Sequence, residues 1–332
     1  MSNLINISKL PTGVHIHVWA DYVEISCLID PDLTFLKSML SDDYNEALDQ
    51  DVELVEDDEN ISKSPDRLTS PNDARETLYS DIFLHLKYRS SVFGEMYPFE
   101  IKHGVRLVRK NVLSDINKLY IFFLLASHLS WIDDRIKQKS QIPQFFEYIC
   151  EVALINHLPQ SAKVHIFGKG KYLDPDFPKK LFKRIEVLAG LLHLSLECKE
   201  KDFDPKNSGD DGLDLVAYVP FSDADRAPGQ LVVFVQSACT EEWVTKQRDI
   251  SFQKWSRRIK FIVAPTEVVI IPFCFRDSNG SWHKSVDVET ILLDRVRLAH
   301  LLNNNPPSLS KNIEVQNIID NICVPHVLSA SL

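Results

Sequence analysis

Two apolar runs of strand length, separated by a loop, constrain the fold of this chain more than any other feature. The first covers residues 213–218, follows an acidic turn that contains Gly212, and carries Asp214 near its start. The second covers residues 231–235 and is followed at once by Gln236. Runs rich in Val, Leu, Phe and Tyr that are bounded by turn residues favour β-strands. We therefore predict two neighbouring strands that place an acid and an amide side by side.

The composition of the chain is that of a globular protein. Of its 332 residues, 44% are hydrophobic and 25% are charged, and this length is sufficient for two domains. The formal net charge is -10, and residues 41–60 contain ten acidic residues and no Lys or Arg. Because this one segment accounts for the whole net charge, the acidic balance does not exclude a nucleic-acid partner.

Several function classes are disfavoured by motifs that the sequence lacks. It contains neither G-x-x-x-x-G-K-[ST] nor G-x-G-x-x-G, which argues against a P-loop or a dinucleotide-binding fold. Its six cysteines include no C-x-x-C pair, so we expect reduced thiols and no zinc knuckle. The longest apolar run, residues 119–132, is too short to cross a bilayer, and no signal-peptide pattern is present. We expect a cytoplasmic protein without a membrane-spanning segment.

The N-terminal part of the chain has the pattern of an α+β region. Alternation of apolar and polar residues predicts one hairpin within residues 14–27 and a second within residues 99–108. A helix is predicted over residues 71–88, and another begins near Ser114. Between about residues 41 and 73, the acidic segment and a Ser- and Pro-containing stretch predict a linker.

From residue 143 onward, helical and strand patterns alternate. Helices are predicted over residues 143–154, 178–198, 241–258 and 288–302, and strands over residues 163–167, 213–218, 231–236, 261–264 and 268–273. This order is typical of an α/β or α+β domain with a mixed sheet. We therefore expect an N-terminal α+β region at residues 1–140, a second domain at residues 141–305 and a C-terminal tail at residues 306–332.

The acid and the amide on neighbouring strands have the chemistry of half a metal site. Hydrolysis of a phosphodiester requires charge neutralisation on the phosphate and an activated water, and a divalent ion held by oxygen ligands supplies both. Asp214 and Gln236 are candidate ligands. The second carboxylate is assigned to Glu147 in an apolar helix, with Glu151, one turn further along, as its competitor. Lys246 is the candidate cation for the water or the phosphate.

A neutral amide in the ligand set leaves the metal site with less negative charge. Gln236 carries no negative charge, so the affinity for a divalent ion falls unless Asp210 or Asp211 compensates. Both acids precede Gly212, and the alternative role for them is to cap the turn.

This series of residues resembles the PD-(D/E)XK nuclease superfamily, in its restriction-endonuclease-like and Mrr-like branch. By that resemblance, Glu147 corresponds to the acid of the first core helix and Asp214 to the acid of the strand. Gln236 corresponds to the second acid, which Gln can replace in this branch. The family carries a Lys two residues after that acid, where this chain has Ala238. Lys246 would then take the role of this lysine from another position in the sequence.

The resemblance covers about residues 140–265 and implies a mixed-sheet, restriction-endonuclease-like core with a nuclease activity. The expected reaction is Mg²⁺- or Mn²⁺-dependent endonucleolytic hydrolysis of DNA, with Glu147, Asp214 and Gln236 as metal ligands. The implied role is that of an effector in bacterial restriction or antiphage defence. The alternative, favoured by Ala238, is an inactive nuclease-fold subunit that binds nucleic acid or protein partners in a defence complex. The sequence leaves open whether the substrate is RNA and whether the protein forms a homo-oligomer.

A basic cluster follows the proposed site in the sequence. Its members, which alternate with Trp and Phe residues, are Arg248, Lys254, Arg257 and Arg258. Basic side chains next to aromatic residues are typical of surfaces that contact phosphates, and such contacts make binding salt-dependent. The alternative interpretation is an ordinary charged helix face above buried aromatic residues.

Overall fold

The computed structural model describes residues 5, 11, 15–41, 71–204, 209–222 and 224–323, and for residues 71–74 it describes the helical backbone alone. From position 42 onward the acidic segment lies outside the described residues, as does the predicted linker up to residue 70. Within the described part of the chain, no helix combines the length and the apolar character that crossing a membrane requires.

The first element in the described part of the chain is a helix, α1 (Ile16–Ile29), where the sequence predicted a hairpin within residues 14–27. The prediction of two strands is wrong because three polar residues of this segment do not face solvent. His17, Asp21 and Glu24 are all buried, and their spacing places them on one face of a helix. The apparent alternation of apolar and polar residues thus reflects a helix that is buried on most of its surface.

A small antiparallel sheet follows α1. Its strands are β1 (Thr34–Leu36), β2 (Phe99–Lys102) and β3 (Arg106–Arg109), in the order β1-β3-β2. The predicted hairpin within residues 99–108 is confirmed as β2 and β3, and its turn has positive φ at His103 (54°) and Gly104 (72°). Two consecutive left-handed residues are typical of the centre of a type I′ turn, and the backbone N of Val105 closes this turn on the Lys102 carbonyl oxygen at 3.3 Å.

Two further helices are present among the described residues of the N-terminal region. α2 (Pro71–Phe93) confirms the predicted helix and continues past residue 88. α3 (Asp115–Ser127) begins after Ser114, as predicted, because a capping box satisfies its first turn. The backbone N of Ser114 donates to Oδ1 of Asn117 at 3.1 Å, and the backbone N of Asn117 donates to the Ser114 hydroxyl at 3.4 Å.

A five-stranded mixed sheet forms the centre of the second half of the chain. Its strands are β4 (Lys163–Ile166), β6 (Leu215–Val219), β7 (Leu231–Ser237), β9 (Thr266–Ile270) and β10 (Ile291–Leu293), and a separate pair consists of β5 (Ser195–Leu196) and β8 (Ile259–Lys260). The order in the large sheet is β10-β9-β7-β6-β4. β6 is antiparallel to β4 and β7, whereas β9 is parallel to β7 and β10. The predicted α/β architecture with a mixed sheet is therefore confirmed.

Helices cover both faces of this sheet, because its central strands are apolar on both sides. α4 (Gln141–His157) packs on one face and α5 (Leu181–Leu191) on the other. Successive residues of β6 point to opposite faces, so Leu215 joins the core beneath α4 and Val216 joins the core beneath α5.

The helix predicted over residues 241–258 is broken into shorter elements. These are α6 (Trp243–Lys246), a 3-10 turn (Gln247–Ile250) and α7 (Phe252–Trp255). The break is fixed by the buried side chain of Gln247, whose Oε1 accepts hydrogen bonds from the backbone N of Glu289 (2.9 Å) and Thr290 (3.1 Å). The prediction of one continuous helix is wrong because the segment is anchored to a neighbouring loop.

The last helix predicted from the sequence, over residues 288–302, begins later than expected. β10 occupies part of this segment, and α8 (Arg295–Leu302) follows it. Asp294 is the N-cap of α8, since its Oδ1 accepts a hydrogen bond from the backbone N of Arg297 at 3.2 Å. Because Asp294 caps the first turn, the helix cannot include the residues before it. The prediction of a helix is therefore wrong for residues 288–293.

Two other elements of the second half differ from the prediction in extent. The helix predicted over residues 178–198 is confirmed only as α5, which ends before His193. That residue has a φ of 55°, through which a right-handed helix cannot continue. The strand predicted over residues 261–264 is wrong, because Ile262 is 66% exposed and this stretch pairs with no other strand in the described part of the chain.

The core beneath α4 contains residues from the whole length of the chain. Trp19 of α1 and Phe122 of α3 belong to the same buried cluster as Phe146 of α4. The segment that the sequence presented as a tail contains α9 (Ile313–Cys323), which adds Ile319 to this cluster. The domain boundary near residue 140 stays a prediction.

Candidate functional site

A cleft of about 480 Å³ opens at the edge of the large sheet where β6 begins and β7 ends. The side chains that the sequence singled out for metal binding and catalysis all line it, namely Glu147, Asp214, Gln236 and Lys246. They come from α4, from the β6–β7 pair and from α6, which are far apart in the sequence. The fold thus brings the four residues to one place, while their roles stay a prediction.

Asp214 is held by strand register and by three hydrogen bonds. Leu215 pairs with Val235 across the two strands, and the backbone N of Asp214 donates to the Val235 carbonyl oxygen at 3.0 Å. Oδ2 of Asp214 accepts from Nε2 of Gln236 (2.7 Å) and from the backbone N (2.7 Å) and hydroxyl (2.9 Å) of Ser237. The orientation of this carboxylate is therefore fixed by its neighbours on β7.

The same hydrogen bond determines which way the amide of Gln236 points. An ionised carboxylate only accepts hydrogen bonds, so the nitrogen of the amide faces Asp214. Oε1 of Gln236 is then buried without a hydrogen-bond partner among the described residues, and the residue is only 5% exposed. A buried acceptor left without a partner costs about 1–3 kcal/mol. A cation or a donor bound beside this oxygen would remove that cost.

Glu147 reaches the cleft from α4 and lies against Gly168. A Cβ at position 168 would be 2.9 Å from Oε2 of Glu147, so the glycine leaves room for the carboxylate. Glu151, the competing acid of the same helix, does not line the cleft; burial and the charge of Asp174 raise its pKa. Of the two acids, Glu147 is the one that the structure brings to the site.

Two carboxyl groups of the cleft have raised pKa values. Burial raises the pKa of Glu147, and the charges of Asp214 and Asp210 raise it further. Burial also raises the pKa of Asp214, followed by the charge of Asp210, while hydrogen bonds from Ser237 and the charge of Lys246 lower it. Acids crowded in a desolvated cleft favour a bound cation, because the cation offsets the repulsion among them.

Of the two acids before Gly212, one faces the cleft and the other does not. Asp210 lines the cleft, and its Oδ1 accepts a hydrogen bond from the backbone N of Gly212 at 3.0 Å. Asp211 pairs instead with Arg258 (3.1 Å) and Lys254 (3.3 Å). Asp210 is thus the one of the two that adds negative charge to the cleft, and it caps the turn as well.

The lysine that lines the cleft comes from α6 and not from β7. Lys246 lines the cleft, and its charge lowers the pKa of Asp214. Ala238, two residues after Gln236, is 1% exposed and belongs to the core beneath α5. Its backbone N donates to the Ile270 carbonyl oxygen at 2.9 Å, as part of the pairing with β9. A lysine there would bury an ammonium among apolar side chains.

The donor atoms of the cleft fit a hard divalent cation. Carboxylates of Glu147 and Asp214 together with an amide oxygen of Gln236 are the ligand types that Mg²⁺ and Mn²⁺ take. Among the described residues, no three His, Cys, Asp or Glu side chains form a metal-binding group by themselves. The unpartnered Oε1 of Gln236 is therefore the atom on which the fit depends.

The four members of the predicted basic cluster have different surroundings. Arg248 is 79% exposed along its side chain and lies 3.7 Å from a carboxylate oxygen of Glu289, and Arg257 is also exposed. Lys254 and Arg258 are tied to Asp211 and are only partly exposed. Arg248 and Arg257 are therefore the members with side chains available to a nucleic acid.

Sequence reasoning missed the loop that follows β4. The backbone N atoms of Phe167 and Gly168 donate to the carbonyl oxygen of Asp214 at 2.7 and 2.8 Å, which joins this loop to the site. The available signal was a pair of glycines, Gly168 and Gly170, directly after a strand. Glycine in that setting marks a close approach of the backbone to other groups.

Comparisons of the chain with protein-family models, with curated proteins and with solved structures find no match.

Proposed function

We propose that this protein is a metal-dependent endonuclease that hydrolyses phosphodiester bonds of DNA in the cleft between α4, β6 and α6. The observation that carries the proposal is the meeting of two carboxylates, an unpartnered amide oxygen and a lysine in one cleft, from Glu147, Asp214, Gln236 and Lys246. These are the groups that metal-assisted phosphoryl transfer to water requires.

Each residue has a defined task in this reaction. Glu147 and Asp214 hold Mg²⁺ or Mn²⁺, with Oε1 of Gln236 as the third protein ligand. The bound ion would supply charge neutralisation on the phosphate and activation of the attacking water. Nε2 of Gln236 and the backbone of Ser237 fix the carboxylate of Asp214 in a single orientation. The ammonium of Lys246 orients the water or meets the charge that develops on the phosphate.

The order of elements supports a restriction-endonuclease-like core. The acid-bearing helix α4 precedes β4, β6 begins next to Asp214, and β7 contains Gln236 near its end. This is the order that the resemblance to the PD-(D/E)XK superfamily assigns to its helix acid, strand acid and second acid. The mixed sheet with helices on both faces is compatible with the same core.

The cellular role follows from the same analogy. An enzyme of this kind would act in the cytoplasm as an effector of bacterial restriction or antiphage defence, with DNA as its partner. RNA is the alternative substrate, since the groups of the cleft act on the phosphodiester, which DNA and RNA share, and not on the sugar. Protein partners in a defence complex and a homo-oligomeric assembly belong to this proposal as well.

The direct test is incubation of the full chain with plasmid, linear and single-stranded DNA and with RNA, in Mg²⁺ or Mn²⁺. Nicking that requires the metal and stops on addition of a chelator is the expected result. No cleavage of any of these substrates in either metal would contradict the proposal.

A second candidate function is that of an inactive nuclease-fold subunit. The observation that favours it is Ala238, which is buried where the family carries a lysine. In this case the cleft would bind no divalent ion and the protein would act through nucleic-acid or protein contacts. Titration calorimetry discriminates between the two functions, because only the enzyme is expected to bind Mn²⁺ in a manner that depends on Glu147 and Asp214.

A further inference from the structure

The loop that follows β4 carries a lysine beside the cleft. Residues 168–171 read Gly-Lys-Gly-Lys. A Cβ at Gly168 would lie 2.9 Å from Oε2 of Glu147, and a Cβ at Gly170 would lie 2.9 Å from Oε1 of Gln144. Side chains at these two positions would displace the side chains of Glu147 and Gln144. The glycines therefore allow the backbone of Lys169 to run close to the acid of α4.

Backbone hydrogen bonds fix this loop at both ends. At its start, the N atoms of Phe167 and Gly168 donate to the carbonyl oxygen of Asp214 at 2.7 and 2.8 Å. At its end, the N of Lys171 donates to Oε1 of Gln144 at 3.2 Å. The loop is thus attached to the two elements that carry the candidate acids, and Lys169 projects from a fixed backbone into solvent.

The charge of Lys169 is available to a ligand. Lys169 is exposed, and it has no carboxylate within ion-pair distance in the described parts of the chain. Its charge nevertheless acts on the cleft, since it lowers the pKa of Glu147. Lys254 differs, because Asp211 already pairs with it at 3.3 Å.

We propose that Lys169 binds a phosphate of the nucleic-acid strand that enters the cleft, on the side of Glu147, and that residues 168–171 are part of the substrate-binding surface. This inference rests on the proposed function and deepens it. Lys246 acts beside Asp214, whereas Lys169 acts beside Glu147, so the strand would meet one lysine next to each acid. Lys169 contributes to affinity and positioning, and its contact does not depend on the base sequence.

The experiment compares Lys169→Ala with Lys163→Ala. Lys163 is exposed at the opposite end of β4, so its replacement removes one charge from a place away from the cleft. Fluorescence anisotropy of a labelled DNA duplex and a labelled RNA is measured at several salt concentrations, with Ca²⁺ in place of Mg²⁺. A Lys169→Arg variant tests whether a cation alone is sufficient.

The expected result is weaker binding by Lys169→Ala, with a salt dependence of log K that is less steep by about 0.9, the value for one lost phosphate contact on a duplex. Lys163→Ala should retain the slope of the unchanged protein, and Lys169→Arg should restore it. Equal slopes for the Lys169→Ala variant and the unchanged protein would overturn the proposal, as would a failure of the unchanged protein to bind either nucleic acid.

The outcome separates this proposal from the nuclease function. If the unchanged protein cuts no substrate and Lys169→Ala still loses one phosphate contact, the proposed reaction fails and the role of Lys169 stands. If the unchanged protein cuts DNA and Lys169→Ala binds DNA with an unchanged slope, the role of Lys169 fails alone.

Discussion

Asp214 and Gln236 are joined by a hydrogen bond of 2.7 Å, in which the amide nitrogen of Gln236 donates to Oδ2 of Asp214. This bond orients both groups at once. It fixes the carboxylate, and it leaves the amide oxygen buried without a partner among the described residues. The two strands therefore present an acid and an oxygen acceptor toward a cleft that Glu147 and Lys246 also line.

Replacement of Glu147 by Gln should change how stability depends on pH. The carboxyl of an unfolded chain has a pKa of about 4.3, and burial raises the pKa of Glu147 in the fold. The folded state then binds the proton of Glu147 more tightly than the unfolded chain does. The stability that this protonation contributes is fully present below about pH 4.3 and is lost as pH rises through the pKa of Glu147 in the fold. Glu147→Gln should remove this loss and raise the melting temperature of the metal-free protein near pH 8.

Thermal unfolding without metal, at several pH values, measures this effect. Glu76→Gln, at an exposed position of α2, is the matched control and should follow the unchanged protein. A Glu147→Gln variant with the same pH dependence as the control would show that Glu147 is not desolvated in the cleft.

Gly168→Ala should weaken the site with little cost in stability. The added methyl group would lie 2.9 Å from Oε2 of Glu147, which is the far end of a flexible side chain and can move. Its nearest backbone contact, the carbonyl oxygen of Asp214, would be at an ordinary 3.5 Å. We expect weaker Mn²⁺ binding in calorimetry and a melting temperature close to that of the unchanged protein. Gly190→Ala, where a Cβ would meet nothing within 4 Å, is the control and should bind Mn²⁺ normally.

Asp21→Asn should destabilise the whole fold. Asp21 of α1 is buried, and its carboxylate contacts Arg89 (2.6 Å), Arg295 (2.8 Å) and His128 (2.8 Å). Removal of its charge leaves the buried guanidinium groups of Arg89 and Arg295 to share Glu24, which lies 2.8 and 3.9 Å from them. A loss of about 3–5 kcal/mol is typical when one partner of a buried ion pair is removed. Urea unfolding should show this loss, whereas Asp32→Asn, at an exposed position, should change stability by less than about 0.5 kcal/mol.

Arg257 and Arg258 should differ in what they do although they are adjacent. Arg257 is exposed, so Arg257→Ala should reduce the salt dependence of DNA binding without a loss of stability. Arg258 pairs with Asp211 at 3.1 Å, so Arg258→Ala should cost up to about 1 kcal/mol in stability and leave the salt dependence unchanged. Anisotropy titrations and urea unfolding of the two variants distinguish these effects. A reduced salt dependence for Arg258→Ala and an unchanged one for Arg257→Ala would contradict the prediction and would show that Arg258 contacts the DNA.

The sequence predicted the central strands and the residues of the cleft because both have local signals. Continuous apolar runs indicated β6 and β7, and the register of a neighbouring pair then brings Asp214 beside Gln236. Glu147 was recognisable as an acid within the apolar run of residues 145–149. Which of Asp210 and Asp211 faces the cleft was not predictable, since that depends on the left-handed conformation of Asp211 (φ 54°) and on its cationic partners from α7 and the residues after it.

Two of the failures have a common physical cause, which is burial of polar side chains by partners distant in sequence. α1 was taken for two strands because the buried charges of Asp21 and Glu24 looked like solvent-facing residues, and their partner Arg89 lies in α2. The segment over residues 241–258 was taken for one helix because the bonds of Gln247 to residues 289 and 290 cannot be read from local pattern.

Nicking of supercoiled plasmid in Mg²⁺ by Asp214→Ala, compared with the unchanged protein and with Asp32→Ala, tests the central claim most directly. Asp32 is exposed in a loop after α1, so its replacement controls for the loss of one acid. We predict metal-dependent nicking by the unchanged protein and by Asp32→Ala. Asp214→Ala should show no nicking while it keeps a cooperative thermal transition. Full nicking activity in a folded Asp214→Ala protein would contradict the assignment of the cleft as a nuclease site.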